Sequence, residues 1–131
     1  MIGRAGREGF HTVTPYVMVQ DIDAFRRFLV DVFGATETYR AIGSRGGTHL
    51  EVQIGDSRIM IGESAGSAAP AYLFLYVDDV TALFDRALRC GAEEMLPIAK
   101  GQFQEELGAA FTDPFGNGWF VAHHGPQSAS P

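Results

Sequence analysis

The sequence is poor in several things that would give its identity away. It holds one cysteine, Cys90, in 131 residues, so no disulfide within the chain can brace it, and this usage fits a reducing compartment. No apolar run approaches the roughly 18–20 residues needed to cross a bilayer. Basic residues are the minority, ten Lys and Arg against sixteen Asp and Glu, for a net charge of −6. An acidic surface repels phosphates, so nucleic acid is not an expected partner. The opening stretch MIGRAGREGF has arginines but no apolar segment behind them, and no secretory signal is expected there. These absences together leave a soluble, cytoplasmic protein with no membrane partner. With 46% hydrophobic and 20% charged residues, the chain is long enough to bury a core as a single domain over 1–131.

Two amphipathic helices are written into it. In DIDAFRRFLVDVFG, Ile22, Phe25, Phe28, Leu29 and Val32 recur at three- and four-residue steps and form one apolar stripe. Asp21 is placed to cap the start, and Gly34 to end the helix at positive φ. In DDVTALFDRALRCG the stripe is Val80, Leu83, Phe84, Ala87 and Leu88, with Asp78 or Asp79 in front and Gly91 behind. Strand-like runs precede both helices, TVTPYVMV and AYLFLYV, and the two units lie about 57 to 58 residues apart. The order of elements thus repeats within the chain.

Three further strands follow each helix. TETYRAI, THLEVQIG and SRIMIGES come after the first, with GSRGG and GDS as turns; EEMLPIA, ELGAAFT and NGWFVAHH come after the second, with DPFG as the last turn. Each half reads β-α-β-β-β: module one over about 11–64, the linker AGSAAP over 65–70, module two over about 71–124, and a Ser/Pro tail over 125–131 that is expected to be disordered. Alternation assigns the faces. Leu50, Val52 and Ile54 oppose His49, Glu51 and Gln53; Ile59 and Ile61 oppose Arg58, Met60 and Gly62; Leu73, Leu75 and Val77 oppose Tyr72, Phe74 and Tyr76. The aliphatic set belongs against the helices. The mixed aromatic and polar set suits a ligand cavity or an interface, the alternative being plain solvent exposure.

The VxD-helix-G-A pattern in both halves and the DPFGN turn before the last strand make the chain resemble the vicinal oxygen chelate superfamily, the glyoxalase, bleomycin-resistance and extradiol-dioxygenase group. The resemblance runs from HTVTPYVMVQDIDAFRRFLVDVFGA to DPFGNGWFVA. It implies an α+β fold of two βαβββ modules, whose eight strands form a curled mixed sheet around a cavity, helices outside, usually in a homodimer. Members that do chemistry hold a divalent metal on side chains from the first and last strands of each module. Carried over one at a time, those positions fall at Thr14, Met60 (within two residues), Tyr72 and Phe120. Neutral hydroxyls, a thioether and a phenyl ring do not make a site for a hard or borderline cation. No cofactor is therefore expected, and a divalent metal enters only with a displaced ligand set.

Other residues offer chemistry of their own. His49 and Glu51, two apart on a strand, share the cavity face and suit an acid–base pair or part of a metal site; a hydrogen-bonded structural pair is the plainer account. Arg58 on the next strand is placed to neutralise Glu51, to bind an anionic ligand or to be solvated. His123 and His124 point to opposite faces and lie where solvent is expected, while His11 and Glu63 have the wrong strand parity to join Thr14 and Met60. Cys90 reads as structural, with no histidine base to place beside it, and Trp119 as core. The leading expectation is metal-independent binding of a small, partly aromatic molecule in a cavity lined by Thr14, Tyr16, His49, Glu51, Arg58, Met60, Tyr72, Phe74 and Phe120. Drug-sequestering members of the superfamily work this way, with ligand sites between subunits. The alternatives are a metal-dependent lyase, isomerase or dioxygenase with a displaced ligand set, and a metal-free enzyme using His49 and Glu51. Whether any reaction is catalysed stays open at this point.

Overall fold

Asp21 opens the first helix and Gly34 closes it. The structure is a computed structural model that describes residues 6–43, 46–66 and 68–125. Outside the described residues lie the tail expected to be disordered, from 126 on, and Ser44 and Arg45 of the GSRGG turn. So do Ser67 of the linker and the first five residues of the opening stretch.

The chain divides into two compact units, Met1–Ala69 and Pro70–Pro131. The first holds β1 (Tyr16–Val19), α1 (Ile22–Phe33), β2 (Thr36–Ile42), β3 (Thr48–Ile54) and β4 (Ser57–Glu63). The second holds β5 (Tyr72–Tyr76), α2 (Val80–Arg89), β6 (Glu93–Ala99), β7 (Leu107–Thr112) and β8 (Gly118–His123), with a short turn at Gln102–Gln104 between β6 and β7. Each unit is βαβββ, and the fold is the α+β two-module type. The eight strands form two four-stranded mixed sheets, ordered β1-β4-β3-β2 and β5-β8-β7-β6. In each, the first strand runs parallel to the last and the remaining pairs are antiparallel.

Local chemistry explains the helix ends. Asp21 Oδ1 accepts from Ala24 N at 3.1 Å, and Gly34 sits at φ 69°, so that Ala35 N reaches back to Leu29 O and closes the last turn. Asp79, not Asp78, caps α2 through Ala82 N. The stripe Ile22, Phe25, Phe28, Leu29 and Val32 is buried in full. That of α2 is buried at Val80, Leu83, Phe84 and Ala87, but Leu88 is partly exposed: it lies one step round from Ala87, at the edge of the stripe. The aliphatic faces behave as the alternation requires, with Leu50, Val52 and Ile61 fully buried in the first unit and Trp119 and Val121 in the second.

One strand is shorter than its sequence suggests. TVTPYVMV forms strand only from Tyr16. The carbonyl of Pro15 accepts from Met60 N at 3.0 Å, but proline has no N–H to return. Thr14 therefore falls outside the ladder.

Candidate functional site

Each unit presents a distinct sheet face away from its helix. In the first unit the register sets Tyr39, Glu51 and Met60 side by side across three strands, with Tyr16 next to Met60. Two residues along, His49 stands opposite Gly62. Glu51 is the centre. Its residue is only 1% exposed, and a carboxylate taken out of water must be compensated by charge or hydrogen bonds. His49 Nε2 lies 2.8 Å from Glu51 Oε2, and Arg7 Nη2 donates to the same oxygen at 2.5 Å. Glu51 Oε1 is buried with no hydrogen-bond partner among the described residues. Because the carboxylate only accepts, His49 carries its hydrogen on Nε2, which leaves Nδ1 facing the Tyr16 hydroxyl at 3.4 Å. Burial pushes the Glu51 carboxyl up, but the hydrogen bonds from His49 and Arg7 outweigh it and hold the group below its ordinary value.

That sign has a testable consequence. A carboxyl lowered by folding adds stability that is present above its unfolded pKa and lost as the pH falls through its folded one. In urea titrations between about pH 7 and about pH 3, the stability difference between the native chain and Glu51→Gln is expected to hold near neutrality and to narrow with acid only below about pH 5. A difference that stays constant would mean Glu51 does not act through its charge.

Arg58 does not take the role of neutralising Glu51. It bonds to the Gln53 side chain, its direct cross-strand neighbour, and its guanidinium lies 5.3 Å from the Phe10 ring centre. Arg7 supplies the charge from a segment ahead of the fold, where no periodicity marks it. The Thr14 hydroxyl donates to His11 O at 3.3 Å.

In the second unit the corresponding face is aromatic. Tyr72 and Phe74 on β5 stand opposite Gly118 and Phe120 on β8. Phe74 lies 5.3 Å from Tyr76, 5.3 Å from Phe103 and 6.4 Å from Phe120, and Tyr72 stacks on Phe120 at 6.4 Å. Phe103 closes the group at 5.6 Å from Phe120. These rings are open to solvent: Tyr72 is 64%, Phe74 45% and Tyr76 64% exposed. Glycine gives them a floor. A Cβ at Gly118 would stand 2.4 Å from the Tyr72 ring, and one at Gly108 2.8 Å from that of Phe103, so only bare backbone lets the rings lie so low.

The loop that carries Phe103 is under strain. Phe103 and Gln104 both hold positive φ, 60° and 63°, a region that side chains disfavour. Its exit is anchored at Glu105, whose carboxylate accepts from Tyr76 Oη at 2.8 Å and meets His124 Nδ1 at 2.7 Å. These contacts hold the Glu105 carboxyl below its ordinary value and raise the Tyr76 hydroxyl. His123 and His124 thus each have a partner, Val77 O and Glu105 respectively, although His124 remains largely exposed. Trp119 is core, as its strand parity requires, with its indole N–H on Asp113 Oδ2 at 2.7 Å.

Sequence reasoning missed Arg7, Tyr39, Phe103 and Glu105. Tyr39 was legible in principle, but a bulge between Glu37 and Tyr39 resets the alternation of β2. Phe103 sits in GQFQEE, which has no period. Among the described residues, no three His, Cys, Asp or Glu side chains gather in a way that would hold a metal.

Known proteins bear on this geometry. The family model described as Glyoxalase/Bleomycin resistance protein/Dioxygenase superfamily matches residues 9–121. No curated protein matches the sequence significantly. Among solved structures, the fosfomycin resistance protein FosX from Mesorhizobium loti is similar at a TM-score of 0.68 and 19% identity, over 94% of both chains. TioX from Micromonospora sp. ML1 is similar at 0.67 and 22%, over 91% of this chain and 98% of its own. A mutant FosX from Listeria monocytogenes, complexed with Mn(II) and 1S,2S-dihydroxypropylphosphonic acid, is similar at 0.67 and 18%, over 86% and 90%. At these identities the likeness carries the fold.

Proposed function

The chain belongs to the Glyoxalase/Bleomycin resistance protein/Dioxygenase superfamily, and on that premise we propose that it binds a small, partly aromatic molecule without a metal. The working form is a soluble cytoplasmic homodimer, with the ligand on the aromatic face of the second unit. One observation carries this reading: Phe74, Phe103 and Phe120 pack against one another and Tyr72 stacks on Phe120, on a face that leaves Tyr72 and Phe74 exposed. Leaving such rings in water forgoes about 25 cal/mol per Å² of apolar surface, and a flat ligand recovers it. Stacking adds about 0.5–1.5 kcal/mol per well-placed ring pair.

The metal of the superfamily's enzymes does not fit the side chains at the corresponding positions. Thr14, Met60, Tyr72 and Phe120 offer two neutral hydroxyls, a thioether and a hydrocarbon ring, and Thr14 lies ahead of β1. A hard divalent cation such as the Mn(II) of the Listeria FosX complex needs imidazole or carboxylate there. No step through a metal is derived for this chain.

A second reading rests on the Tyr16–His49–Glu51 line. Its carboxylate orients an imidazole whose free nitrogen faces a hydroxyl, the arrangement of a general acid–base pair. In that case His49→Ala abolishes turnover and leaves ligand binding largely intact.

The test is calorimetric. A panel of flat aromatic compounds is titrated into the protein before and after treatment with a strong chelator. At least one compound is expected to bind saturably with a negative heat-capacity change and equal affinity in both samples. Absence of binding across the panel would sink the proposal. Binding that disappears with the chelator would favour a displaced metal set instead.

A further inference from the structure

The environment of Glu51 is built for something the chain itself only half supplies. The carboxylate is 1% exposed and lies between Tyr39 and Met60 in the sheet register. Arg7 reaches it with one nitrogen, on Oε2 alone, and that same oxygen already meets His49. Oε1 has no partner among the described residues. The Arg7 guanidinium also lies 5.4 Å from the Tyr39 ring centre and 4.7 Å from that of Phe10, within the range of cation–π attraction. A carboxylate floor with aromatic walls is the ordinary recognition chemistry for a planar cation.

The attachment of Arg7 is slight. Its side chain stays 55% exposed. It belongs to a single turn closed by Phe10 N on Arg7 O at 3.1 Å, which places Phe10 between the Arg7 and Arg58 guanidinium groups. Gly9 holds φ 92° in that turn, and a Cβ on it would meet the Arg58 guanidinium at 3.0 Å. A side chain there would have to push the Arg58 guanidinium aside and would sit at a φ that side chains disfavour. Arg7 is thus a tethered group at high local concentration, matched to the site in charge but not in its fork geometry.

We propose that Glu51, flanked by Tyr39 and His49, is a binding site for a guanidinium or amidinium group, and that Arg7 is its tethered occupant, displaced when such a ligand enters. A forked cation engages both oxygens and satisfies Oε1, which Arg7 leaves bare. All the atoms involved belong to the first unit, so this inference stands independently of the aromatic face of the second.

Benzamidinium is the probe, with neutral benzamide as its isosteric control. Calorimetric titrations compare the native chain, Arg7→Ala, and Arg7→Ala combined with Glu51→Gln, each shown to be folded by its thermal transition. A tether that fills the site nine-tenths of the time weakens a competitor about tenfold. Arg7→Ala is therefore expected to bind benzamidinium about tenfold or more tightly than the native chain, and adding Glu51→Gln is expected to cancel that gain. Equal or weaker binding by Arg7→Ala overturns the proposal, as does a gain that survives Glu51→Gln. A gain of the same size for benzamide does so too, since the effect would then belong to the Tyr39 ring. Should Arg7→Ala not fold, nuclear magnetic resonance of the native chain decides the matter. Saturating benzamidinium should move the Arg7 side-chain N–H signal to that of a free arginine, and a signal that stays in place refutes displacement.

Discussion

Replacing Asp113 by Ala is expected to lower the unfolding free energy by about 3–5 kcal/mol. The first residue of DPFGN is 4% exposed, and its carboxylate serves three donors. Oδ1 accepts from Phe115 N at 2.8 Å and Asn117 N at 3.0 Å, and Oδ2 from Trp119 Nε1 at 2.7 Å. The backbone of the same residue closes the turn with Gly116 and Asn117. Alanine preserves the backbone but takes the carboxylate acceptor away from the indole N–H of a fully buried residue and from two turn amides. Each such acceptor lost costs about 1–3 kcal/mol. Asp113→Asn should fall between, at about 2 kcal/mol, because one amide oxygen cannot serve both the turn and the tryptophan. Urea unfolding of the three proteins measures this. A loss below about 1 kcal/mol for the alanine variant would mean that water replaces the carboxylate, and that the turn does not fix the register of β8.

Phe74→Ala is expected to weaken the aromatic ligand proposed for the second unit by about 10- to 100-fold, the loss of about 1.4–2.8 kcal/mol. Phe74 is the hub of its face, in contact with Tyr76, Phe103 and Phe120. Since it is 45% exposed, stability should change by only about 1 kcal/mol. That separation of affinity from stability is the diagnostic. A core residue would lose both, and a solvated one neither. Calorimetry and urea unfolding on the same preparations read the two effects. Unchanged affinity for Phe74→Ala would move the ligand off this face.

Much of the fold was legible because it rests on local and periodic signals. The caps at Asp21, Asp79 and Gly34, and the stripe ending at Val32, follow from backbone needs that one or two residues meet. The faces of β3 and β8 follow from parity, which put Glu51 opposite Leu50 and Phe120 opposite Trp119. The site was less legible because its partners are distant in the chain. The pairing of His49 with Glu51 could be expected from two-residue spacing. Nothing local joins Arg7 to Glu51 across 44 positions, and Arg58, nearer in sequence, is diverted by Gln53. Parity also failed where geometry broke the period: at Pro15, which shortens β1 and leaves Thr14 outside it, and at the bulge before Tyr39. Phe103 has its place through backbone torsions that no side-chain pattern announces.

Those torsions set two kinds of selection against each other. Holding Phe103 and Gln104 consecutively in the left-handed region costs on the order of 1–3 kcal/mol at each residue, and a glycine in place of Gln104 would release much of its share while keeping the Phe103 ring. A population screened only for heat resistance should therefore drift toward glycine in this loop. One screened for ligand retention should keep the strained pair, because the same relaxation frees the Phe103 ring from its seat over Gly108. Homologues that have exchanged this loop for a relaxed one would then mark lineages in which the aromatic face no longer matters.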